Sequence, residues 1–175
     1  MEAIYATDSQ GGLSKQGTIP WTSKKDMKFF YEKTKNNVVV MGRKTYLSLD
    51  IKNRPLKNRL NVVLTTNPEF FRKDTKKFEN VIFIKNMDIL HAIFNKEYSD
   101  LFFFECLQKD FKIFIIGGKE LYETYVPYCS TIWTTRLKKN YHCDLFFEYD
   151  FKESEYKSEI IDDDDEMTIT RYSRM

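Results

Sequence analysis

"KIFIIGGKELYETYV", residues 112–126, is a run of apolar residues that stops at two glycines and passes directly into a helix-forming segment. A continuous apolar run is the pattern of a strand covered on both faces. The same order recurs along the chain. "NVVVMG" (37–42) leads into "RKTYLSL", "RLNVVLTT" (59–66) repeats the arrangement, and "VIFI" (81–84) leads into "NMDILHAIF" (86–94), where Asn86 can cap a helix. Repeated strand-then-helix units imply parallel strands joined by right-handed crossovers. Ligands are then expected where strand C-terminal ends meet helix N-termini.

The two ends of the chain read differently. "AIYAT" (3–7) is a short β-prone run, and "DSQGGLSKQG" after it, with three glycines, reads as a mobile loop rather than a regular element. Pro20 follows, and Thr22 or Ser23 can cap a helix running to about Lys33. On that helix Asp26, Phe29, Phe30 and Lys33 fall on neighbouring turns, so an acid shares the face that should pack inward, while Lys25, Lys28 and Glu32 can face water. Towards the C-terminus, "TIWTTRL" (131–137), "SEYKSEII" (154–161) and "MTITRYS" (167–173) are β-rich, with "DDDDE" (162–166) as a solvated hairpin turn. The expected fold is α/β: one domain with a mixed sheet, mostly parallel and ending in an antiparallel C-terminal hairpin, flanked by helices. "NKEYSDLFFFECLQKD" (95–110) is long for a connection and is expected to tuck its phenylalanines under the sheet edge.

Composition narrows the partners. The 175 residues suit one compact domain, and 28 Lys plus Arg against 26 Asp plus Glu give no basic footprint for nucleic acid or an anionic membrane. Fifteen Phe and eleven Tyr supply a core and surfaces on which a flat ligand can stack. Cys106, Cys129 and Cys143 lack CxxC spacing and His91 and His142 lie far apart, so no metal site and reduced thiols are expected. "MEAIYATD" has no basic, apolar leader pattern, and the longest apolar run, "DLFFFECL", is far short of the roughly 20 residues a membrane span needs. A cytoplasmic protein acting on a small molecule, as a monomer, is the expectation.

Three strand ends could hold phosphate. Gly117-Gly118 lets backbone come close to an anion at a helix start, Gly42 is followed by Arg43, Lys44 and Thr45, and "NVVLTT" offers Thr65 and Thr66. Two such ends side by side suit an extended dinucleotide, although the spacing is not GxGxxG.

"IPW...D" near the start, "MGRKTYLS", "RPLKNR", "IIGGKELY" and "TTRL...D" occur in that order, and from Ala3 to about Phe147 the set resembles the dihydrofolate reductase family. The resemblance implies NADPH-dependent reduction of 7,8-dihydrofolate on an eight-stranded sheet. By position Asp26 matches the pocket acid that hydrogen-bonds the pterin 2-amino group and N3, Thr135 a threonine bonded to that acid, and Trp21 a residue of core and pocket wall. Ile4, Tyr5 and Ala6 match first-strand contacts with pterin and nicotinamide. Met27, Phe30, Ser48, Leu49 and Leu56 match the pocket wall, and Arg59 the arginine that grips the substrate's α-carboxylate. Ile116, Gly117, Gly118 and Tyr122 match the glycine-pair turn, whose bond is cis in the family, with Lys119, Glu120 and Leu121 beside it as cofactor positions. Leu13, Ile19 (the hydrophobe of a closing loop), Gly42, Arg43, Lys44, Thr45, Leu64, Thr65 and Thr66 complete the implied cofactor set, with Arg43 as the candidate for the 2′-phosphate.

Departures are informative. Ser14 stands where many members have glycine, Leu145 replaces threonine in "DLFF", and Glu120 and Thr66 fall where some members carry arginine near the adenosine end. Residues 1–175 are expected to form one reductase domain, with no room for the thymidylate synthase to which some members are joined. The implied reaction moves hydride from nicotinamide C4 to pterin C6 while N5 gains a proton through water, with Asp26 orienting the ring. The rival readings are the same-fold pyrimidine reductase of riboflavin synthesis, disfavoured by "IPW", Asp26 and Arg59, and a catalytically inactive binding module of this fold.

Overall fold

A computed structural model describes residues 1–88, 90 and 105–175. The parts of "NMDILHAIF" and of the 95–110 segment that fall between them lie outside the described residues, among them the phenylalanines expected under the sheet edge. The chain divides into two compact units, one of residues 1–33 and 114–175, the other of residues 34–113.

Eight strands form the main sheet. In the unit of residues 34–113, β3 (Val38–Gly42), β4 (Leu60–Leu64) and β5 (Val81–Ile84) run parallel in the order β5-β4-β3. Val38 to Met41 are fully buried, as their unbroken apolar run predicts. Helix α2 (Arg43–Ser48) starts directly at the end of β3, and α3 (Arg72–Lys77) follows a 3-10 turn at Pro68–Phe71. The core beside it is aromatic: Phe71 stacks on Phe83 at 4.4 Å, and Tyr46 meets both rings edge-on. Asn86 accepts the Asp88 N–H at 3.2 Å, a capping bond of the type its position predicts.

In the other unit the order is β6-β1-β7-β10-β9. β1 (Glu2–Thr7) pairs in parallel with β6 (Ile113–Ile115) and with β7 (Thr131–Leu137). β10 (Met167–Arg174) is antiparallel to β7, and β9 (Tyr156–Asp163) to β10. The mostly parallel sheet therefore ends in the antiparallel pair expected from the β-rich tail, with a shorter turn because Asp162 and Asp163 extend β9. Helix α1 (Lys24–Thr34) precedes β3, and α4 (Lys119–Tyr125) follows the glycine pair, whose peptide bond is cis, as is Arg54-Pro55.

"DSQGGLSKQG" is more ordered than a loop reading allows. Gly12–Ser14 form β2, paired antiparallel with β8 (Leu145–Phe146). The organiser is Asp8, fully buried, whose Oδ1 accepts the N–H groups of Gln10 (2.9 Å) and Gly12 (2.8 Å) and whose Oδ2 accepts that of Tyr141 (3.0 Å). Those bonds, led by the backbone of Gly12, outweigh burial and hold the Asp8 carboxyl below the usual aspartate range. Gln16 N–H donates to Asp144 Oδ2 at 2.8 Å, a second tie between the same two stretches.

Candidate functional site

Helix α1 lies where its sequence places the acid. Ser23 is the cap: its Oγ accepts the Asp26 N–H at 3.1 Å and its carbonyl the Met27 N–H at 3.1 Å. The Asp26 side chain is half-buried, with Thr135 and Trp21 as side-chain hydrogen-bond partners. Further along the same face, Phe29 meets the Trp133 ring edge-on at 6.1 Å, and Lys33 Nζ stands 3.8 Å from that ring's centre. Trp133 and Thr135 are two residues apart on β7 and point to one side of the sheet. The inward face of α1 therefore rests on β7 at two points, with the carboxylate over Thr135 and the aromatic pair over Trp133.

The surroundings of Asp26 decide its charge. Burial raises its pKa; the bonds to Thr135 and Trp21 pull it down by less, and the nearby Glu166 charge adds to the rise. Beneath it, Ala6 is the register partner of Thr135 on β1, and Thr135 that of Ile169 on β10. Trp21, Leu137, Cys143, Met167 and Ile169 form the adjoining core, with Ala6, Phe29 and Tyr141 packed on it.

Ile4 and Tyr5 are buried. The Tyr5 ring lies 5.1 Å from that of Tyr122 and 5.3 Å from that of Phe147, and Tyr122 donates its hydroxyl proton to the Ile4 carbonyl at 3.2 Å. Burial accordingly pushes both phenols well above the usual tyrosine range. Ile116 and Gly117 are buried, while Gly118 is extended at the start of α4 with no side chain capping the helix. Leu121 packs inward, Glu120 is exposed, and Lys119 pairs with Glu123 at 3.6 Å. Ile19 and Met27 expose most of their side chains, Leu13 is half-buried, and Phe30 is partly covered.

The remaining candidates belong to residues 34–113. Arg43 and Lys44 are exposed at the start of α2, Gly42 and Thr45 are partly covered, and Ser48 donates to the Thr45 carbonyl at 2.7 Å. Thr65 is buried beyond Leu64 at the end of β4, and Thr66 is exposed. Leu49 and Leu56 are partly covered. Arg59 is buried rather than exposed on its loop: its Nε donates to the Lys57 carbonyl at 2.8 Å and its Nη1 to Thr34 Oγ1 at 3.1 Å. Sequence reasoning missed this Thr34 partner, the Glu2 carboxylate on the Trp133 indole N–H at 2.7 Å, and the Lys25 ion pairs with Asp162 and Asp164. Each joins positions at least 25 residues apart, so no local pattern marks it.

Among the described residues no group of three or more metal-ligating side chains forms, and no helix is long and apolar enough to cross a membrane. Known proteins point the same way as the geometry. The sequence model of the family described as "Dihydrofolate reductase" matches residues 1–174. The dihydrofolate reductase of Ureaplasma parvum is 31% identical over 154 residues, covering 86% of this chain and 83% of that protein. The bifunctional dihydrofolate reductase-thymidylate synthase of Zea mays is 35% identical over 155 residues, 83% of this chain but 28% of that protein, so the chain matches little more than a quarter of such relatives. A solved structure of Enterococcus faecalis dihydrofolate reductase, complexed with NADP(H) and RAB-propyl, superposes with a TM-score of 0.72 at 28% identity, covering 99% of this chain and 95% of that one. On the family match over 174 of its residues, the chain belongs to the dihydrofolate reductase family.

Proposed function

We propose that the chain is an NADPH-dependent dihydrofolate reductase, reducing 7,8-dihydrofolate to tetrahydrofolate. The observation that carries the reading is Asp26: a half-buried carboxylate in the first turn of α1, bonded to Thr135 and Trp21, in a chain that matches the family over residues 1–174. A pterin presents an N–H and an amino group in one plane, which two carboxylate oxygens can accept. In this reading Asp26 orients the pterin and its negative charge supports protonation of N5, while Trp21 and Thr135 hold the carboxylate. Ile4, Tyr5, Ala6, Met27, Phe30, Ser48, Leu49, Leu56 and Ile116 contact the substrate. Arg59, its guanidinium oriented by Thr34 and Lys57, takes the α-carboxylate of the substrate's glutamate.

The residues present fit an anionic dinucleotide: Gly118 opens α4 without a side chain over the turn, and Arg43 and Lys44 are exposed cations at the start of α2. Bound NADPH supplies the hydride that reaches pterin C6. Gly42, Arg43, Lys44, Thr45, Leu64, Thr65 and Thr66, together with Ala6, Leu13, Ile19, Ile116 and residues 117–122, are the positions assigned to it by the family pattern, with Arg43 on the 2′-phosphate. The match across residues 1–174 supports treating 1–175 as one reductase domain, acting as a cytoplasmic monomer on small molecules. The test is the loss of NADPH absorbance when dihydrofolate is added. Oxidation is expected with dihydrofolate and slower with NADH in place of NADPH; turnover of a ribosylated pyrimidine phosphate but not of dihydrofolate would overturn the reading.

A further inference from the structure

We propose that Lys25 is a positioning residue for Asp26, fixing the rotation of the first turn of α1 through a double ion pair with the β9–β10 turn. The first turn of a helix lacks intrahelical partners for its N–H groups and frays first. Asp26 sits in that turn, its N–H tied to Ser23 and its carboxyl to Thr135 and Trp21. The other contacts of this face, Phe29 and Lys33 on Trp133, lie further along the helix. Successive helical residues point about 100° apart, so an anchor at Lys25 restrains the first turn in a second direction.

The anchor is well built. Lys25 Nζ lies 2.7 Å from Asp162 Oδ2 and 2.5 Å from Asp164 Oδ2. Asp164 is preset to receive it: its other oxygen, Oδ1, accepts the N–H groups of Glu166 and Met167, both at 2.9 Å, and its own N–H donates to the Met167 carbonyl at 3.0 Å. Met167 is fully buried in the core that holds Trp21. The chain of contacts therefore runs from Lys25 through a fixed carboxylate into the packing beside Asp26. Partly exposed ion pairs contribute little to global stability, and the role inferred is directional. A comparison lies on the same turn: Lys138, just beyond β7, pairs with Asp163 at 2.9 Å.

The kinetic arm rests on the reductase reading of Asp26; a second arm does not. In the full chain, Lys25→Met is expected to slow single-turnover hydride transfer about three- to tenfold with KM for NADPH unchanged, as misplacement of an orienting group does. Lys25→Arg, whose fork can span two carboxylates, should restore the rate, and Lys138→Met should leave it unaltered. In Asp162→Asn/Asp164→Asn the same loss is expected, with no further loss on adding Lys25→Met. Without any ligand, amide hydrogen exchange at Asp26 and Met27 should quicken about tenfold in Lys25→Met and not in Lys138→Met. Unchanged exchange in Lys25→Met, or Lys25→Arg as slow as Lys25→Met, overturns the proposal. If the wild-type chain fails to oxidise NADPH with dihydrofolate, the reductase reading falls and the exchange result alone decides the role of Lys25.

Discussion

Asp26 is held where its charge opposes folding of the empty protein. Its folded pKa is raised, chiefly by burial, so the folded chain binds that proton more tightly than the unfolded one. Stability is therefore withdrawn as pH rises from the ordinary aspartate value through the raised folded one. Asp26→Asn removes this opposition. The variant is expected to melt above the wild type at pH 7 while losing at least about 100-fold in hydride transfer, the scale of a positioned acid-base group. Calorimetry and single-turnover kinetics on one preparation check both signs, and full activity in Asp26→Asn would refute the role. Arg59 differs, since its guanidinium is already oriented by Thr34 and Lys57. Arg59→Leu is expected to weaken dihydrofolate binding by about 10- to 100-fold, the range of a lost charged hydrogen bond, with NADPH affinity unchanged in titration calorimetry. Asp26 was legible because an acid on an inward helix face is chemically out of place, and Arg59 because its motif resembles that of the family. Thr135 was anticipated as the partner of Asp26 through the same resemblance; Thr34, the partner of Arg59, was not, because it lies 25 residues off in sequence and belongs to no motif.

At the scale of the element, α1 on β7 and β2 on β8 show what pattern can and cannot reveal. "TIWTTRL" and "VIFI" become β7 and β5 residue for residue, because β-branched and aromatic side chains in a run of strand length fit a pleated sheet. β2 escaped because three glycines argue for a loop, and its pairing partner lies about 130 residues on. What holds it is a side chain, Asp8. Asp8→Asn turns one acceptor oxygen into an N–H donor; if that amide faces the Tyr141 N–H, the mismatch should cost about 1 to 3 kcal/mol by urea melting. The wild type's share of this stability is present above the ordinary aspartate pKa and is lost as pH falls through the lower folded value, so Asp8→Asn should flatten the acid limb of the stability curve. Gly12→Ala probes the same element by shape: a Cβ there would lie 2.4 Å from Cys143 Cβ and 2.6 Å from its Sγ. Overpacking of this kind is expected to cost about 1 to 3 kcal/mol and to part β2 from β8.

For the whole molecule, the repeated strand-then-helix order was enough to anticipate a mostly parallel sheet, and the ordered motifs were enough to anticipate the family. The ion pairs that tie hairpin turn to helix were not legible, since a run such as "DDDDE" reads the same whether it is solvated or gripped. On the reductase reading, NADPH at 100 times its Kd should stabilise the folded chain by about 2.7 kcal/mol. For a chain of this size that is a rise in Tm of roughly 5 to 10 °C, and NADH at equal concentration should give less. The two tryptophans of the sequence bear on how such events can be followed. Trp21 is bonded to the Asp26 carboxylate, whereas Trp133 keeps Glu2 on its indole nitrogen and the Lys33 ammonium over its ring. Trp21 emission is therefore expected to respond to the protonation and occupancy of the acid, so the unlabelled protein carries a native optical reporter beside Asp26.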